Sequence, residues 1–194
     1  MELYIWRHPK PLNAVGVCLG HTDMAVDKRK LSRLANQIQR FARRHQLPKV
    51  IWVSPLQRSL EVGQILATRG FRCEVAPALT ELDFGDWDGQ DWQQIAKPEI
   101  DAWCDDFANY APGGGENLRQ LFDRVASWLN SLPPTPQLAV GHAGWIAAAN
   151  MLSAGRTVPA TAADWPRPVA YRQRSKLVIA AALPLPWPPR RGSC

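Results

Sequence analysis

Nowhere in the 194 residues is there an apolar run long enough to cross a bilayer, so no membrane span is expected. No basic stretch leads into an apolar one at the start of the chain. That argues against a secretory leader and makes the cytoplasm the expected compartment. Cysteine is scarce: Cys18, Cys73, Cys104 and Cys194 are scattered without metal-ligand spacing, and free, inert thiols are expected. No Gly-Lys-Ser/Thr follows the glycines at 113–115, which excludes a Walker A phosphate loop. The basic residues carry no zinc-finger, RNP or helix-turn-helix pattern, so the net charge of +6 points away from nucleic acid and towards solubility or an anionic small molecule. Segment 27–45, with seven Lys/Arg and one acid, reads as a solvated helix face. Segment 81–106 has the opposite balance, nine acids and one Lys.

The hydrophobic content of 46% suffices for a real core in one domain, taken here as residues 1–183. The Pro-rich segment 184–194 reads as a disordered or polyproline-like tail. Three short apolar runs, at 3–6, 50–53 and 138–140, read as buried strands, with further strands at 71–75 and 177–183. Amphipathic spacing predicts helices over 27–45, 55–68, 91–110 (broken at Pro98), 116–132 and 145–153. Pro55 suits the first turn of its helix, and Glu116 suits the first turn of the next but one. Alternating strands and helices predict an α/β fold: a three-layer sandwich with a mostly parallel central sheet and helices on both faces.

The first strand runs into Arg7-His8 and the 138–140 strand into Gly141-His142-Ala143-Gly144. In open α/β sheets, ligands bind at the carboxyl ends of strands. A guanidinium grips phosphate as a fork, and a neutral imidazole can attack phosphorus. Arg58 lies near the start of the helix after the second strand, close to the same edge. Gly141 and Gly144 would let backbone and ligand approach closely, and the helix start adds positive charge. Glu81 follows apolar residues in an acid-rich loop, and a carboxylate held partly dry there can serve as a proton donor. Asn13 and the backbone amides around Gly20 could help line an anion pocket; both are also ordinary turn residues. The aromatics from 87 to 107 suit either a core or a pocket wall.

Taken together, these residues resemble the histidine phosphatase, or phosphoglycerate-mutase-like, superfamily over Leu3 to about Leu183. Arg7-His8 resembles its Arg-His-Gly motif, Ser54-Pro55-Leu56-Gln57-Arg58-Ser59-Leu60-Glu61 its second-strand motif, and 81–89 its Glu-x-x-x-Gly-x-Trp-x-Gly block. Gly114-Gly115-Glu116 and Gly141-His142-Ala143-Gly144 follow in the family's order. The resemblance implies a metal-independent phosphomonoesterase needing no cofactor. His8 would form a phosphohistidine, and Arg7, Arg58 and His142 would hold the phosphoryl oxygens. Glu81 would act as acid and then base, and Asn13 and Gly20 could add donors. Pro9 and Pro11 depart from the family, each lacking the N–H of the usual residue. Gly20-His21-Thr22-Asp23 and Ala102-Trp103-Cys104-Asp105-Asp106 look like the α-ribazole phosphatase branch, which implies α-ribazole 5′-phosphate as a small phosphorylated substrate. A phosphoglycerate-mutase-type phosphotransferase and a catalytically silent phosphoryl-binding module remain open, as does the choice between monomer and homodimer.

Overall fold

The computed structural model describes residues 1–179 and 183. Five strands form one sheet in the order β3-β2-β4-β1-β5. They are β1 (Glu2–Arg7), β2 (Val50–Val53), β3 (Arg72–Val75), β4 (Gln137–Gly141) and β5 (Arg174–Val178). The first four are parallel, and β5 pairs antiparallel with β1.

Side chains of β1 alternate between two cores, as the period of two requires. Tyr4 and Trp6 pack with α1 (Lys28–Arg44) and α2 (Gln57–Ala67) on one face. Leu3 and Ile5 pack with α4 (Leu118–Ser131) and α5 (Ala143–Ser153) on the other. The expected three layers are present. No helix among the described residues is long and apolar enough to cross a membrane.

Several boundaries differ from the sequence expectation. Pro55 precedes the helix it was expected to open: Leu56 is the N-cap and Gln57 the first helical residue. Pro98 starts α3 (Lys97–Asp105) rather than breaking a longer helix, because a proline in the first turn loses no helical hydrogen bond. Glu116 lies outside α4. Asn117 caps that helix in a reciprocal capping box with Gln120, while Glu116 pairs with Arg124 at 2.6 Å. The last strand runs from Arg174 to Val178 where 177–183 was expected, and residues 180–182 of that span lie outside the described residues; its alternating exposure is that of a one-sided edge strand. The expected tail at 184–194 lies outside the described residues, as does Cys194. Cys18, Cys73 and Cys104 are free thiols. Burial, with Asp88 adding to it, pushes Cys18 up to about 12, so it stays protonated.

The sheet order assembles the site. β2, β4 and β1 are adjacent and parallel, so the residues after each strand emerge at one edge. Arg7 is in register with Gly141, which sets His8 and His142 level.

Candidate active site

His8 is buried, and its ring centroid lies 5.0 Å from that of His142. The two imidazoles that sequence placed on separate strand ends therefore face one space. His8 Nδ1 lies 2.8 Å from the Pro9 carbonyl oxygen. A carbonyl can only accept, so Nδ1 carries the proton and Nε2 keeps its lone pair. Burial foremost, then the Arg58 and Arg7 guanidinium charges, hold His8 well below the ordinary histidine pKa, and it is neutral near pH 7. Pro9 lacks an N–H, but the group that orients the imidazole is its carbonyl.

His142 is fully buried and caps α5 by position. Its Nε2 lies 2.7 Å from Ser54 Oγ, and its Nδ1 has no partner among the described residues. Burial first, then Arg58 and His8, lower its pKa as well. A serine hydroxyl can donate, so Ser54 can fix a tautomer with a proton on Nδ1, free for an incoming oxygen. Sequence reasoning quoted Ser54 in a motif but gave it no role.

Arg58 is fully buried. Its Nη1 donates to the Thr22 carbonyl at 2.9 Å, and its Nη2 donates to the Gly20 carbonyl. Asp23 lies 4.0 Å from Nη1. Burial lowers the Arg58 pKa, and Glu81, Asp23 and Asp88 oppose that shift. Arg7 donates to the Val169 carbonyl at 2.8 Å, and its guanidinium stacks 3.8 Å from the Tyr171 ring centroid. The Nε atoms of Arg7 and Arg58 are both buried without a partner among the described residues. Two cations with spare donors thus flank a neutral imidazole. Tyr171 also packs edge-on against His8. It comes from the loop before β5, where no local pattern marked it.

Glu81 is buried and bound by backbone amides. Oε1 accepts from Trp145 at 3.0 Å and Leu82 at 3.1 Å; Oε2 accepts from Gly144 at 3.0 Å. The start of α5 therefore holds the Glu81 carboxylate, where the sequence suggested that it would face the ligand. A Cβ on Gly144 would sit 2.7 Å from Glu81 Oε1. The close approach at that glycine is thus to a carboxylate, and at Gly141 it is to Ile5. Arg124 fastens the same loop by donating to the carbonyls of Ala78, Thr80 and Glu81.

The two remaining sequence candidates sit differently from expectation. The amides of Gly20, His21 and Thr22 all donate to the Asp88 carboxylate, so Gly20 N–H is taken up within the protein and Gly20 does not line the cavity described below. Gly20 acts on the site through its carbonyl, which holds Arg58. Asn13 is exposed, in a left-handed backbone conformation (φ 56°), and does not line the cavity, although its neighbour Ala14 does.

That cavity has a volume of about 340 Å³. Arg7, His8 and Glu81 lie at its polar end, while Phe84, Trp92, Trp103 and Trp165 wall the rest. Trp92 and Trp103 are nearly parallel, with 5° between planes and centroids 6.3 Å apart. Of the aromatics expected at 87–107, Trp92, Trp103 and Phe107 serve as pocket wall, while Trp87 is core packing.

Comparison with known proteins agrees with this geometry. The chain is 25% identical over 137 residues to the adenosylcobalamin/α-ribazole phosphatase of Salmonella typhimurium, covering 68% of this chain and 67% of that one. It is 27% identical over 150 residues to a metal-independent phosphoserine phosphatase of Arabidopsis thaliana, covering 74% of this chain and 60% of that protein. Among solved structures, a mycobacterial glucosyl-3-phosphoglycerate phosphatase superposes with a TM-score of 0.71 at 26% identity, covering 91% of this chain and 89% of the other. The profile of the histidine phosphatase superfamily (branch 1) matches residues 3–165. By motif order, sheet order and that match, the chain belongs to the histidine phosphatase superfamily.

Proposed function

We propose that the protein is a metal-independent phosphomonoesterase that works through a phosphohistidine on His8. The observation that carries this reading is the His8 Nδ1 bond to the Pro9 carbonyl, which leaves Nε2 as a lone pair between two guanidinium groups. In the first step Nε2 attacks phosphorus, and the bond from phosphorus to the ester oxygen breaks. Arg7, Arg58 and a His142 protonated on Nδ1 hold the three equatorial oxygens. Glu81 gives its proton to the leaving oxygen. Its Oε2, with one amide bond against two on Oε1, has room for that proton. In the second step Glu81 takes a proton from water, the water oxygen bonds to phosphorus, and the P–N bond breaks. Positioning and fixed charge supply most of the rate.

For the substrate, we propose a small phosphomonoester with a flat aromatic group, α-ribazole 5′-phosphate being the first candidate. The aromatic wall supports this, as does the name of the Salmonella relative.

The test is hydrolysis of p-nitrophenyl phosphate in EDTA. Wild type is expected to turn over and His8→Ala to lose at least about 10³-fold. Wild type quenched in alkaline denaturant should carry up to one phosphoryl group that survives alkali and is lost in acid, as a phosphoramidate is. No turnover of any phosphomonoester would leave a silent binding module. Phosphoryl transfer between phosphoglycerates without phosphate release would favour a mutase. Comparing kcat/KM for α-ribazole 5′-phosphate, phosphoserine and glucosyl-3-phosphoglycerate then ranks the substrates.

A further inference from the structure

On the opposite side of β1 from α5, a second cavity of about 460 Å³ opens between α1 and the β1–β5 edge. Arg33, Arg40 and Arg44 line it from the helix, Arg174 lines it from β5, and Trp6 and Phe41 supply the apolar part. The arginines are exposed, as a solvated helix face requires, and they also border one hollow. Positions 33, 36, 37, 40, 41 and 44 all line the cavity and fall at i, i+3, i+4, i+7, i+8 and i+11. They make one stripe about 16 Å long at a helical rise of 1.5 Å per residue.

Two further observations point to an anion. None of Arg33, Arg40, Arg44 and Arg174 is paired with a carboxylate among the described residues. The chain has no Asp or Glu at all from 28 to 60. The amides beside them are turned as donors. Arg69, from beyond α2, donates to Asn36 Oδ1 at 2.8 Å and to Gln39 Oε1 at 3.3 Å. That occupies the oxygens and leaves both NH₂ groups for something negative. A smaller hollow of about 310 Å³, lined by Asn36, Gln39, Arg40 and Arg43, continues the groove along the helix. Arg174 is held in place, its guanidinium 4.0 Å from the Phe41 ring centroid.

We propose that this groove is a second anion site, separate from the His8 cavity, which takes a small molecule bearing two or three linked phosphates. A single phosphate would engage only part of a stripe this long. Against a long nucleic acid, the basic stripe ends after about 16 Å and carries no nucleic-acid-binding motif. The shared chemistry is the polyphosphate chain, whether free or attached to a nucleoside.

The test uses the full chain with orthovanadate present to occupy the His8 site, and titrates tripolyphosphate or ATP by calorimetry in metal-free buffer without EDTA. The expected result is one site per chain, weakened about tenfold or more in Arg40→Ala/Arg44→Ala and in Arg174→Gln. Both variants should keep p-nitrophenyl phosphate turnover within about twofold of wild type, which also reports that they fold. Tripolyphosphate should raise the melting temperature of wild type more than that of either variant. ATP binding markedly tighter than tripolyphosphate identifies a nucleoside carrier; equal affinity identifies the phosphate chain alone. The proposal is overturned if vanadate abolishes all binding, if both variants bind as wild type does, or if only a long RNA binds.

Discussion

At the scale of single residues, the site depends on which group holds which. His8 titrates low because it is buried beside Arg58 and Arg7, so its neutral form, the one proposed to attack, persists into mild acid. The acid limb of kcat/KM should accordingly fall below pH 6.5, the ordinary histidine value, in a pH–rate profile. Replacing Arg58 by Met removes one cause, and the limb should move upward towards that value, besides lowering the rate. Gly144 is a second lever. The Cβ of Gly144→Ala would press on Glu81 Oε1, so the carboxylate proposed as proton donor must shift. We expect a loss of about 10²-fold in kcat on substrates with poor leaving groups and a smaller loss on p-nitrophenyl phosphate, which departs without a proton. Equal losses on both substrates would remove Glu81 from the acid role. Arg7, His8, Arg58, Glu81 and His142 could be picked out in the sequence because each sits in a motif beside a strand end or turn. Ser54 and Tyr171 could not be assigned roles. A serine before a proline and a tyrosine in an irregular loop acquire meaning only when folding brings them to an imidazole.

At the scale of elements, side chains staple the loops that surround the site. Asp88 gathers three successive amides, and the carbonyls of that same segment hold Arg58. Asp88→Ala frees those amides in a partly buried place. It should lower unfolding free energy by about 2–4 kcal/mol in urea melts and raise KM for phosphomonoesters. The helices themselves were legible from their apolar stripes, α1 and α4 above all. Their ends were less so, because capping is decided by one or two side chains. Asn117 outcompetes Glu116 as a cap, and Glu116 is drawn to Arg124 instead. Pro98 has one sequence signature for two outcomes, a break within a helix or the start of one. Only the packing of residues 91–96 as turns selects the start. The β5 boundary slipped because its exposed Arg174 and Lys176 mask the strand pattern that its inward residues carry.

At the scale of the whole molecule, the parallel order β2-β4-β1 brings three separate stretches of chain together around the pocket that His8 lines. Motif order implied that these strands lie in one sheet, but not that β4 would insert between β1 and β2. Burying two histidines in their neutral form also couples that pocket to global stability. His8 and His142 both titrate lower in the folded chain than in the unfolded one. As pH falls through 6.5 the unfolded chain takes up protons that the fold refuses, so stability declines. The slope from these two groups is at most about 2.7 kcal/mol per pH unit. A His8→Ala/His142→Ala variant should lose that part of the decline between pH 7 and 5 in thermal melts.

The pairing of β1 with β5 has one more consequence. The Met1 amine donates to the Ile179 carbonyl at 2.7 Å, and the Ile179 amide donates to the Met1 carbonyl at 2.9 Å. Topologically the described fold is nearly a closed ring. A short linker from 179 to 1, with new termini cut in the exposed turn at 133–136, should give a circular permutant that keeps its secondary structure by circular dichroism.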